Sequence, residues 1–166
     1  MKTTAFFTRI LGWLTGSRLT VDNSAVKELD LNRFVGSWYE VARFDHFFER
    51  GMSHTQANYV IRDDGNIAVT NIGIKDGKPK TAKGKAKRTD IPSLFRVSFF
   101  GPFYSDYRVM LLDADYQFML IGSNSDNYLW ILSRSLHLSE KAKATIIFEA
   151  QRRGYDTDKL IWVKQE

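Results

Sequence analysis

Three histidines, two aspartate pairs and one glycine–lysine stretch are the residues of this chain whose types could do chemistry. His46, His54 and His137 share no spacing that would put two imidazoles on one metal ion, so surface or loop positions are expected for them. Asp63-Asp64 and Asp113/Asp115 lie in turn sequences, where carboxylates cap backbone amides; that use accounts for them without acid–base catalysis. Gly77 to Lys85 superficially resembles a phosphate-binding loop. Its glycines are seven apart instead of ~5, and Ala86 stands where a hydroxyl should hold magnesium. No Gly-x-Ser-x-Gly nucleophile elbow occurs. Cysteine is absent, which excludes disulfides, thiolate nucleophiles, Cys-ligated zinc and a lipidated cysteine anchor. No metal and no cofactor is expected, and the chain reads as a non-enzyme.

The 166 residues carry 24 Lys plus Arg against 19 Asp plus Glu, a net charge of +5, and 14% are aromatic. Nucleic-acid binding is the first class such numbers suggest. Lys75, Lys78, Lys80, Lys83, Lys85, Lys87 and Arg88 form a basic stretch opposed only by Asp76. A single-strand binder would interleave stacking aromatics with those charges, and this stretch has none. It reads as a solvated strand face, and no nucleic acid is expected as partner.

The elements that must carry these residues are mostly strands. Short alternating runs separated by turn chemistry span 38–44, 55–61, 67–74, 80–88, 95–100, 107–112, 116–122 and 128–134. Asp63-Asp64-Gly65-Asn66 and Lys75-Asp76-Gly77 are hairpin signals. Eight strands at hairpin spacing predict an antiparallel meander, which closes into a barrel and so removes its exposed edges. One amphipathic helix starts at the N-cap Ser139, buries Ala142, Ile146, Ile147 and Ala150, and stops at Gly154. A short last strand covers 160–163. Lys83, Lys85 and Lys87 must face water, which turns Ala82, Gly84 and Ala86 inward and leaves volume beside them. An eight-stranded barrel can be packed solid or can hold one small ligand; the small residues favour the ligand.

Gly36-Ser37-Trp38-Tyr39-Glu40 opens the first strand, Asp113-Ala114-Asp115-Tyr116 joins the sixth to the seventh, and Arg134 ends the eighth. Together these resemble the three motifs of the lipocalin family. The stretches Ala42-Arg43-Phe44-Asp45-His46, Val97-Ser98-Phe99-Phe100-Gly101-Pro102-Phe103-Tyr104 and Tyr128 to Arg134 are similar to its bacterial outer-membrane and apolipoprotein D group. The resemblance spans about 29–165. It implies an all-β fold: an eight-stranded up-and-down barrel with the helix packed outside. Counting hairpins then brings Gly36, Trp38, Asp115, Tyr116 and Arg134 to one end, where Arg134 over the Trp38 indole would plug the barrel.

At the opposite, open end the loops 45–54, 75–80, 101–106 and 123–127 surround the mouth. Only the Lys75–Lys80 loop could attract an anionic head group. Alternation and resemblance together give the cavity wall as Ala57, Tyr59, Val69, Asn71, Val97, Phe99, Tyr107 and Trp130. Met119 and Ile121 are further candidates. Asn71 points inward, where an unpaired amide costs ~1–3 kcal/mol, so it bonds either a ligand or Tyr59, Tyr107 or a water.

The resemblance implies binding, storage or transport of a small hydrophobic molecule, a fatty acid or lysophospholipid, in the bacterial cell envelope. An enzyme on the same barrel and an interaction module without a small ligand are the alternatives. The family's known isomerases use a cysteine, which this chain lacks. Residues 1–24 form an N-terminal arm before a barrel domain at 25–166. Phe6, Phe7, Ile10, Leu11, Trp13 and Leu14 recur near helical spacing with Lys2, Arg9 and Arg18, as in an export segment or an interfacial membrane helix; a plain tail is the alternative.

Overall fold

The computed structural model describes residues 19–166. The targeting or membrane-contact segment expected within residues 1–18 lies outside the described residues. A single turn of helix α1 (Leu31–Phe34) precedes strands β1 (Gly36–Phe44), β2 (Ser53–Ile61), β3 (Ile67–Lys75) and β4 (Lys78–Arg88). Strands β5 (Leu94–Phe100), β6 (Phe103–Leu112), β7 (Phe118–Gly122) and β8 (Leu129–Ser133) follow. Helix α2 (Glu140–Arg152), a 3-10 turn (Thr157–Lys159) and β9 (Leu160–Trp162) complete the order.

The eight strands pair in sequence, all antiparallel, and β1 also pairs with β2, so the barrel closes. Strand β9 adds outside, on the upper half of β1, through Ala42–Trp162, Arg43–Ile161 and Phe44–Leu160. The turn between β3 and β4 has the two-residue form that matches strand twist, with φ of 53° at Asp76 and 70° at Gly77. Strand β6 begins at Phe103, earlier than sequence pattern alone indicates, because Gly101-Pro102 turns the chain at once. Tyr116 sits in the turn before β7 at φ 57°, where its N–H reaches the Asp113 carbonyl.

Two apolar cores result, one on each face of the sheet. The inner core fills the closed half of the barrel with Phe34, Trp38, Tyr59, Ile67, Phe95, Val109, Met119 and Ile121. The outer core lies between the barrel wall and α2 and contains Val41, Phe44, Met110, Leu120, Ile131, Ile146 and Ala150. Helix α2 forms where expected: Ser139 Oγ accepts from Ala142 N–H, and Gly154 leaves the helix at φ 97°. Burying Ile146 completely contributes ~1.5–3 kcal/mol to this docking.

Residues 19–26, whose first part reads as a polar linker, are tied along the barrel. Asp126 accepts from Thr20 N–H at 2.8 Å, and Val26 N–H donates to Val109 O at 2.9 Å. The buried Arg153 guanidinium holds the strap down by donating to Asp22 O, Ser24 O and Met110 O.

Candidate functional site

The closed end is built around Arg134. Its guanidinium carbon stands 3.8 Å from the Trp38 ring centroid. The same group donates to Ser37 O, Arg33 O, Phe34 O and Val35 O at 2.7–3.1 Å, tying the end of α1 to the start of β1. Gly36, at φ 97°, lies so near that an added Cβ would stand 3.3 Å from Arg134 Nη1. Tyr116 OH accepts from Asp30 N–H, and the Arg33 guanidinium lies over the Tyr116 ring. Of the two turn aspartates it is Asp113 whose carboxylate takes the Asp115 and Gln117 amides; Asp115 is exposed.

Above this plug lies an aromatic floor. Phe34 stacks on Tyr59 at 5.0 Å and on Phe95 at 5.4 Å, with Tyr107 edge-on. The Tyr59 and Tyr107 hydroxyls bond each other at 2.9 Å. Burial pushes both phenols well above the ordinary tyrosine value, so the floor stays neutral.

The cavity above the floor has two chambers. The inner one, about 90 Å³, is walled by all eight residues expected to line it: Ala57, Tyr59, Val69, Asn71, Val97, Phe99, Tyr107 and Trp130. Met119 and Ile121 belong instead to the packed core beneath. The outer chamber, about 300 Å³, opens among Phe47, Phe48, Ile72, Phe100 and Phe103 and has Lys75 and Lys80 at its rim. That volume is at the lower end of the ~300–1,000 Å³ typical of ligand pockets. The room comes partly from the small residues of β4. Phe99 fills some of it: a Cβ on Gly84 would lie 2.8 Å from its ring.

The sequence reading missed the charged cluster between the chambers. Glu40, Arg43, His46 and Glu49 are all nearly closed to solvent. Glu40 and Arg43 are three apart on one strand, which simple alternation places on opposite faces. A bulge at Val41, where Glu40 pairs with Leu132 and Ala42 with Ile131, turns both to the same side. Arg43 then donates to Glu40 Oε1 at 2.8 Å and to Glu49 O and Met52 O, folding the 45–52 loop over the mouth. His46 lies in that loop, one of the two positions expected for it, but is buried there and not on the surface; its Nε2 is 2.6 Å from Glu49 Oε2. His54 is half-buried at the start of β2, and His137 is exposed.

The two carboxyls are shifted in opposite directions. Burial, reinforced by the neighbouring Glu49 charge, pushes the Glu40 carboxyl well above the usual range despite Arg43. Burial also raises Glu49, but His46, the Trp130 indole N–H at 3.2 Å and Arg43 outweigh it and hold this carboxyl below its usual value. Among the described residues no cluster of side chains is arranged to hold a metal ion.

A closed up-and-down barrel, plugged at one end and hollow and apolar at the other, defines a ligand-holding β-barrel. The chain belongs to the lipocalin family: the lipocalin-like domain model matches residues 29–165. It is 45% identical over 146 residues to the outer membrane lipoprotein Blc of Citrobacter freundii, covering 86% of this chain and 82% of that protein. It is 28% identical over 150 residues to mouse apolipoprotein D, covering 84% of this chain and 78% of that one. Insecticyanin from the tobacco hornworm shares the fold, with a TM-score of 0.73 at 19% identity over 90% of this chain and 86% of its own.

Proposed function

We propose that this lipocalin binds and carries a single-chain anionic lipid, a fatty acid or lysophospholipid, in the bacterial cell envelope, and that it is a binding protein and not an enzyme. The observation that carries this reading is the polarity of the cavity along its axis. The inner chamber has aromatic and aliphatic walls, its only charged lining groups are acidic, and its floor is neutral. The cations that line the cavity, Lys75 and Lys80, stand at the rim of the outer chamber. An anionic amphiphile therefore enters tail first and leaves its charge at the mouth.

About fifteen buried methylenes at ~0.8 kcal/mol each contribute roughly 12 kcal/mol, against binding costs of about 4–15 kcal/mol. At the low end of that cost the net of about 8 kcal/mol corresponds to micromolar affinity, with modest discrimination by chain length. The envelope location rests on the likeness to the outer membrane lipoprotein of Citrobacter freundii. Native mass spectrometry of the purified chain against a lipid panel tests the cargo: retention of single-chain lipids is expected. A Lys75→Glu/Lys80→Glu double variant should weaken anionic lipids about tenfold and leave a neutral monoglyceride unchanged. Retention of no lipid by the parent chain, or equal loss of both classes in the variant, would refute the assignment.

A further inference from the structure

The two chambers meet at a waist formed by Glu40, Phe48, Glu49, Ala57, Asn71 and Phe99, the residues that line both. Half of this ring is polar, although the inner chamber it guards is greasy. Glu49 is already held by His46 and Trp130, and Glu40 Oε1 by Arg43 and Thr55. Asn71 is different. Its Oδ1 is fully buried and has no partner in the protein. The residues directly across from it on the flanking strands are Ala57 on β2 and Ala82 on β4, which have no side-chain donor to offer. The tyrosines below bond each other, and neither hydroxyl is hydrogen-bonded to Asn71 Oδ1. An orphaned amide group costs ~1–3 kcal/mol, and apolar ligand atoms would not relieve it.

Position along the strand sets what can. Inward parity on β3 runs Asn71, Gly73, Lys75, and Lys80 pairs with Gly73. At ~3.3 Å per residue, the backbone of the two rim lysines lies about 7 and 13 Å above Asn71. A lysine side chain is long enough to reach over much of that gap, which leaves an anionic group on the lysines and a donor on Asn71 separated by a few bonds of ligand.

We propose that Asn71 recognises a hydroxyl placed a few bonds from the ligand's anionic group, making the preferred cargo a single-chain lipid that carries an alcohol between its charge and its apolar tail. This rests on the tail-first reading above. The free glycerol hydroxyl of a lysophospholipid and the 3-hydroxyl of a hydroxylated fatty acid both have this chemistry.

The experiment compares matched pairs on the purified full chain: 1-palmitoyl lysophosphatidylglycerol against its 2-deoxy analogue, and 3-hydroxypalmitate against palmitate. Affinities are read by titration calorimetry for the parent chain, Asn71→Leu and Asn71→Ala. The hydroxylated member of at least one pair should bind the parent about tenfold more tightly, and the pair that discriminates identifies the source. Both variants should lose that preference, binding the two members of the pair with equal affinity. Equal binding within both pairs by the parent chain overturns the inference while leaving the lipid-carrier reading standing. A preference that survives in either variant overturns the assignment to Asn71. Binding of none of the four overturns both readings. The parent-chain comparison is decisive even if neither variant folds.

Discussion

Replacing Arg134 by methionine should destabilise the barrel while leaving the cavity able to bind. Arg134 serves four backbone carbonyls at 2.7–3.1 Å and lies 3.8 Å from the Trp38 ring centroid. Bonds from a charged donor contribute ~1.5–3 kcal/mol each when measured singly. They do not add here, because one guanidinium makes all four and water can reach part of this end. The stacking over Trp38 contributes a further ~0.5–2 kcal/mol. A total loss of about 3–4 kcal/mol is expected, a large share of the ~5–15 kcal/mol that holds such a domain folded. With a urea dependence of ~2 kcal/mol per molar, the unfolding midpoint should fall by about 1.5–2 M. Trp38 lies under the guanidinium, so its fluorescence reports the transition. Arg134→Lys keeps the charge but not the fork and should recover less than half of the loss. Lipid affinity measured well below the midpoint should be unchanged. A midpoint shift under about 0.5 M for Arg134→Met would refute the view that this residue locks the closed end.

Other substitutions probe the wall and its electrostatics. Gly84→Ala would place a Cβ 2.6 Å from Ser98 O and 2.8 Å from the Phe99 ring. The backbone oxygen cannot yield, so a loss of about 2 kcal/mol and a drop of roughly 4–8 °C in melting temperature are expected by calorimetry. Glu40 gives a pH signature. Its carboxyl is held above 4.5 in the fold and titrates near that value when unfolded. From about pH 4.5 upward the folded state therefore binds the extra proton, and this residue's contribution to stability declines with rising pH until the folded group ionises. Glu49, held below its usual value, acts oppositely and loses its contribution only as pH falls below about 4.5. Glu40→Gln mimics the protonated acid. Denaturation midpoints for parent and variant should diverge in the variant's favour between pH 5 and 8; parallel profiles would show that Glu40 is ionised in the fold.

What the sequence determined by itself follows from local rules. Turn residues such as Asp76-Gly77 and the period-two alternation of 82–87 depend only on nearby backbone, and they specify strands, hairpins and inward faces. The eight wall residues were legible from those faces together with the family resemblance, and the closed-end group of Gly36, Trp38, Asp115, Tyr116 and Arg134 from the resemblance with hairpin counting. The extent of β6, the fixed path of residues 19–26 and the burial of His46 were not, because each depends on contacts made far along the chain. Tertiary structure alone decided the waist. The bulge at Val41 breaks the alternation that would separate Glu40 from Arg43, and a bulge is specified by register against β8, not by the residues of β1. Arg43 then draws the 45–52 loop inward and brings Glu49 against His46 and Trp130. Asn71 faces inward by sequence pattern, but its lack of a protein partner shows only in the fold, where Ala57 and Ala82 flank it and offer no side-chain donor. Local chemistry thus sets which side chains face the cavity. Closure of the barrel sets which of them are left without a partner in the protein, because only closure brings distant strands close enough to satisfy or orphan a buried polar group.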